Sequence, residues 1–100
     1  MAIHSPRYSF TSATLGSAPK QQGVFWLWDR DELIFVGRVT GNGSIQSCLI
    51  EHRAGDHGPC TQGATHFGWE LTRFPAAREA ELLADFTAKY KRLPKCQATR

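Results

Sequence analysis

A carboxylate interrupts the apolar stripe of the last long segment, PAAREAELLADFTAKYKRLP. Pro75 suits a first helical turn and Pro94 stops the pattern. Leu82, Leu83, Phe86, Tyr90 and Leu93 fall on one side of the expected helix, with Glu81, Asp85, Lys89 and Arg92 opposite. Glu79 projects into the middle of the apolar side. An acid aimed at a core costs free energy unless it is paired, protonated or bound to a cation. Two roles follow for Glu79: ligand to a divalent metal, or one half of an internal ion pair with Arg38 or another cation.

The other chemistry-bearing side chains lie upstream. In SIQSCLIEHR, Ser44 is a plausible N-cap, and Ile45, Cys48, Leu49 and His52 share one helical face. His52 there is either a general base, with an ordinary pKa near 6.5, or a buried-face side chain bonded to a backbone carbonyl. Cys48 reads most simply as a small core residue. His52, His57, Cys60 and His66 are nitrogen and sulfur groups of the kind that hold zinc tetrahedrally. They are split between a helix, a turn and a strand, and no paired Cys-x-x-Cys is present, which favours an ordinary polar loop. Cys60 with His57 or His66 is a conceivable nucleophile and base, but no oxyanion hole or third orienting group accompanies them.

These groups need elements to position them. The stretch GVFWLWDRDELIFVGR, residues 23–38, holds two apolar runs, Val24 to Trp28 and Leu33 to Val36, around the turn DRDE. Both runs are apolar at consecutive positions, the pattern of strands covered on both faces. Trp26 and Trp28, with Trp69 further on, read as core or sheet-face aromatics. AGDHGPCTQG is turn-forming throughout, and THFGWELT alternates as a third, amphipathic strand. Residues 1–22 read as a polar lead-in with a short helical turn near Phe10 to Leu15, residues 23–97 as the domain, and 98–100 as a tail.

Taken in order, hairpin, helix, strand, long helix and a closing Pro-Lys-Cys-Gln resemble the GIY-YIG nuclease superfamily. Gly23-Val24-Phe25 stands at the GIY motif, and Phe35-Val36-Gly37 at YIG, followed by Arg38 where many members carry Lys or Arg. SCLIEH resembles the family's Arg-Leu-x-x-x-His/Tyr segment, which puts Cys48 at the arginine and His52 at the third polar position. EAELLADF resembles the segment opened by the metal-binding glutamate, here Glu79. PKCQ resembles the closing Pro-x-Tyr-Asn, with Gln97 at the asparagine. The resemblance implies an α/β domain of α+β type, with a small three-stranded antiparallel sheet flanked by helices. It also implies phosphodiester hydrolysis on DNA, with Mg²⁺ or Mn²⁺ on Glu79.

That chemistry needs a tyrosine base, an arginine on the phosphate and a metal-held carboxylate. Phenylalanine fills both tyrosine positions, Phe25 and Phe35, and can neither take nor give the proton. Cys48 cannot make the bidentate phosphate contact of an arginine. His52 as base, Arg38 as phosphate contact, Glu79 and Gln97 are what remains. The expected function is therefore a nuclease-like domain acting on or binding DNA. The alternative is a non-catalytic nucleic-acid-binding or protein-interaction module on the same fold.

Composition is compatible with both. The 100 residues make one domain with a net charge of +3 and a pI near 9.0. From Phe86 onward Lys89, Lys91, Arg92, Lys95 and Arg100 occur without an acid, a pattern that suits a phosphate backbone or simply a solvated helix end. Lys91, Arg92 and Lys95, with Arg38 and Gln97, are the candidate substrate contacts. No apolar run approaches the roughly 20 residues of a membrane span, and MAIHSPRYSF lacks the order of a signal peptide. Cys48, Cys60 and Cys96 are odd in number, which predicts reduced thiols and a cytoplasmic protein.

Overall fold

A computed structural model describes residues 7–97. The elements in chain order are β1 (Tyr8–Ser9), α1 (Ser12–Leu15), β2 (Gly23–Asp29), β3 (Glu32–Arg38), α2 (Ile45–Ala54), α3 (Pro59–Gln62), β4 (His66–Leu71) and α4 (Pro75–Tyr90). They form an α+β domain around an antiparallel sheet ordered β1-β4-β2-β3. The sheet has four strands, not the three expected. The extra one is the two-residue β1, which pairs Tyr8 with Phe67 and Ser9 with His66. So short a strand leaves no alternation to read, and the tertiary pairing creates it.

The consecutive apolar residues of the hairpin sort by the pleat onto opposite faces. Phe25, Leu27 and Phe35 join Phe67, Phe10, Leu15, Ile45 and Leu49 on one side. Val24, Trp26, Trp28 and Val36 meet Leu82 and Phe86 of α4 on the other. Helices cover both surfaces of the central strands, which is why β2 is buried from Gly23 through Trp28. The turn between β2 and β3 needs a positive φ of 59° at Arg30, whose amide donates to Thr65 Oγ1 at 2.7 Å. Phe10, Leu15 and Ala18 belong to the core, so the segment before β2 is packed into the domain.

Local chemistry sets the helix ends. Ser44 and Ser47 cap α2 reciprocally, and Gly55 closes it at φ 87°. Pro75 occupies the first turn of α4, where a missing N–H costs nothing. Arg78, one turn in, grips Glu70 of β4 through Nε and Nη2 at 2.8 and 3.2 Å. Those contacts with Glu70, and then Glu81, raise its guanidinium above the ordinary arginine value. α4 ends at Tyr90, ahead of Pro94, because Lys91 turns left-handed at φ 60°.

The chain then runs along the outer edge of β3. Cys96 N donates to Ile34 O at 2.9 Å. The Gln97 amide pairs with the Val36 backbone, accepting from N at 3.0 Å and donating to O at 2.9 Å. Cys96 is bonded to Cys60 of α3, with Cα atoms 5.7 Å apart. This corrects the expectation of three reduced thiols. Parity leaves one odd cysteine, Cys48, but cannot reveal that α3 and the closing segment meet. Among the described residues, no helix is long and apolar enough to cross a membrane.

Candidate functional site

The open end of the β2–β3 hairpin, α2, α3 and Cys96 enclose a cavity of about 350 Å³. Its floor is aromatic. Phe25 and Phe35, 2% and 3% exposed, set their ring centroids 6.1 Å apart. Gly37 lies between them, and an added Cβ there would stand 2.5 Å from Phe25 Cζ and 2.7 Å from Phe35 Cε2. The glycine of the second motif is thus what lets both rings close over the strand.

His52 projects from the buried face of α2 onto these rings, with centroids 5.5 Å from Phe25 and 4.8 Å from Phe35. Its Nδ1 shares a 2.8 Å hydrogen bond with Thr61 Oγ1, both side chains being buried. That partner is a hydroxyl from α3. His57 stacks on His52 at 4.2 Å and shares a 3.0 Å hydrogen bond with Glu51 Oε1. Imidazole, imidazole and carboxylate thus form a short row along one wall.

Arg38 leaves the end of β3 toward α4, where its Nη1 donates to Glu79 Oε1 at 3.1 Å. Glu79 is 7% exposed and points inward, while Arg38 keeps about two-fifths of its side chain in solvent. Of the two roles open to Glu79, the ion pair with Arg38 is the one present. A divalent cation at this carboxylate would lie against a permanent guanidinium charge. Among the described residues, no cluster of three or more His, Cys, Asp or Glu side chains is arranged to hold a metal.

Replacing Arg38 with methionine keeps its stem but removes the charge beside a nearly buried carboxylate. We expect a loss of about 1–2 kcal/mol in urea unfolding, scaled down from a fully buried pair because Arg38 is partly exposed. Glu79→Gln in the same background should recover most of it, and a cycle showing no coupling would contradict the pairing.

Cys48 lines the cavity from α2. Burial first, and then the Glu51 carboxylate, push its thiol above the ordinary value, partly offset by a hydrogen bond from Ser47. It is a neutral thiol at neutral pH, with neither the charge nor the reach of an arginine. Gln97 serves the β3 edge. The basic residues after α4 lie elsewhere: Arg92 faces Glu32 at 3.5 Å and Lys95 faces Asp29 at 3.6 Å, both at the hairpin turn. Lys91 turns back to Ala88 O at 3.0 Å. The structure therefore brings Phe25, Phe35, Arg38, Cys48 and His52 to one cavity and leaves Lys91, Arg92 and Lys95 outside its lining. Arg100 lies outside the described residues.

The zinc and nucleophile readings of Cys60 are corrected, because its sulfur is bound to Cys96. His66 sits opposite Trp28 in the sheet and bonds Thr65 Oγ1 at 2.9 Å. Thr61, Glu51 and the stacking role of His57 were not foreseen from sequence. Comparison of the chain with protein-family models, curated proteins and solved structures finds no match.

Proposed function

We propose that this chain is a GIY-YIG-like domain that binds nucleic acid through the Arg38-edged cavity and has lost phosphodiester hydrolysis. The observation that carries the reading is convergence. Phe25 from β2, Phe35 and Arg38 from β3, and Cys48 and His52 from α2 line one cavity, and Glu79 is reached through Arg38. These are the positions at which the family resemblance puts its working residues. Ordinary core packing does not require motif positions from three elements to open onto a common space.

The loss of hydrolysis follows from what each position holds. Two phenyl rings offer no proton acceptor. The Cys48 thiol stays neutral, and the Arg38 guanidinium is engaged by Glu79. His52 has one ring nitrogen committed to Thr61. What survives is a partly exposed guanidinium beside an aromatic-floored cavity on a chain of net charge +3. Such a surface can hold a phosphate backbone without activating water against it.

Fluorescence anisotropy with labelled single- and double-stranded oligonucleotides across a salt series tests binding. The expected result is an affinity that falls steadily with salt, and salt-independent or absent binding would overturn the reading. Incubation with supercoiled plasmid and Mg²⁺ or Mn²⁺ tests the second half. Nicking that disappears in Glu79→Ala would restore a working nuclease.

A further inference from the structure

The two outer edges of the sheet are closed unequally. Successive residues of an antiparallel strand turn their N–H and C=O alternately to one side and the other. Gly23 O accepts from Val39 N at 3.0 Å, so the backbone of Gly23 faces β3, and that of Phe25, two residues on, does the same. Their partners across the β2–β4 ladder, Leu71 and Trp69, therefore turn their N–H and C=O away from β2. At the β3 edge the outward groups of Ile34 and Val36 are taken by Cys96 N and the Gln97 amide. On the opposite side β1 pairs with His66 and Phe67 alone. Among the described residues, no strand lies against residues 68–71.

Outward N–H and C=O groups are a template for one more strand, and exposed edges are ordinarily guarded by lysine, proline or a bulge. Residues 68–71, Gly-Trp-Glu-Leu, carry neither lysine nor proline, and their register with β2 runs without a shift. The side chains beside the open groups are apolar. Leu71 is 45% exposed, and Trp69, half-buried, shares its side of the sheet. Two residues further on, Arg73 is exposed, and Glu70 is held by Arg78 and not by it.

A second copy of this chain suits the edge poorly. Joining Trp69 of one copy to Leu71 of the other would set Glu70 directly opposite its own counterpart, and like charges so placed destabilise a ladder. Both copies would also carry a net charge of +3.

We propose that this edge docks an extended segment of another protein, added antiparallel to β4. Its side chains opposite Leu71 and Trp69 are apolar or β-branched, and an acid lies opposite Arg73. β1, paired at Phe67, marks where the added strand must stop. Main-chain hydrogen bonds supply the hold, and the alternate side chains supply the selection. Trp69, Leu71 and Arg73 are outside the cavity lining, so docking here holds whether or not the cavity binds nucleic acid.

The probe is the capped peptide Asp-Thr-Val-Thr-Val-Thr, with its aspartate opposite Arg73 and its valines opposite Leu71 and Trp69. Amide hydrogen exchange is followed by NMR on the full chain, free and with peptide at about ten times its dissociation constant. Exchange at the Trp69 and Leu71 amides should be fast in the free protein and slow roughly tenfold with peptide. The Glu70 amide, which already faces β2, should not change. The peptide N-methylated at both valines cannot donate to the Leu71 and Trp69 carbonyls and should bind at least about tenfold more weakly. Arg73→Glu should weaken the aspartate peptide about fivefold, and lysine in place of the aspartate should recover the loss.

Slow exchange at Trp69 and Leu71 in the free protein would overturn the proposal. Loss of that protection on dilution would assign the edge to a second copy, and its loss on deleting residues 1–6 would assign it to those residues. Failure of the peptide to bind would also overturn it. So would binding that leaves the two amides unprotected or that tolerates N-methylation.

Discussion

Reduction of the Cys60–Cys96 bond is expected to lower the melting temperature by roughly 15–30 °C. The bond spans 36 residues. Chain-entropy arguments give about 4 kcal/mol for closing a loop of that size, and each kcal/mol shifts the midpoint of a domain this small by about 4–8 °C. The effect reaches the cavity through two routes. Cys60 belongs to α3, which carries the Thr61 partner of His52, and Cys96 belongs to the segment bonded along β3. Calorimetry with and without a phosphine reductant, repeated on Cys60→Ala/Cys96→Ala, measures the change. A midpoint that moves by only a few degrees in both would show that packing alone holds the closing segment.

Gly68→Ala should be nearly as damaging. Gly68 sits on β4 opposite Trp26 of β2, and an added Cβ would collide with the indole nitrogen of that tryptophan. Trp26 is 1% exposed and clamped beneath α4 by Leu82 and Phe86, so it cannot swing clear. Overpacking of this kind typically costs 1–3 kcal/mol, and at a site closed on all sides we expect about 3 kcal/mol. Trp26→Phe in the same background empties the space the methyl needs and should restore part of the loss. Urea unfolding of the two variants, compared with Gly63→Ala as an innocuous control, checks this. Wild-type stability for Gly68→Ala would mean that the two strands do not approach as described.

How far the chain could be read beforehand depended on whether a feature was local. The β2–β3 hairpin announced itself through consecutive apolar residues, since only strands covered on both faces tolerate that pattern. Ser44 marked the start of α2, and Pro75 that of α4, because caps and first turns are chemistry within a few residues. Glu79 was legible as an inward acid from helical geometry alone, with Arg38 among its possible partners. The α4 boundary at Tyr90 was not, because Lys91 leaves the helix for a left-handed turn that no proline enforces.

The other missed features depend on how the fold brings segments together. The pairing of β1 comes from Tyr8 meeting Phe67, and the disulfide from α3 meeting the closing segment. Thr61 could not be linked to His52, nor Glu51 to His57, without knowing how the GDHGPC turn folds back on α2. Lys95 and Arg92 looked like a free positive field because Asp29 and Glu32 are some sixty residues upstream. Charge read along a chain overstates the field wherever folding supplies a counterion.

One consequence of the closing segment concerns the company the molecule keeps at high concentration. β3 ends the sheet, and its backbone would otherwise be an adhesive margin inviting a neighbour's strand. The Gln97 side chain, by imitating a peptide group at Val36, occupies that margin from within. Proteolytic trimming after Pro94 should therefore yield a protein that self-associates into β-rich oligomers.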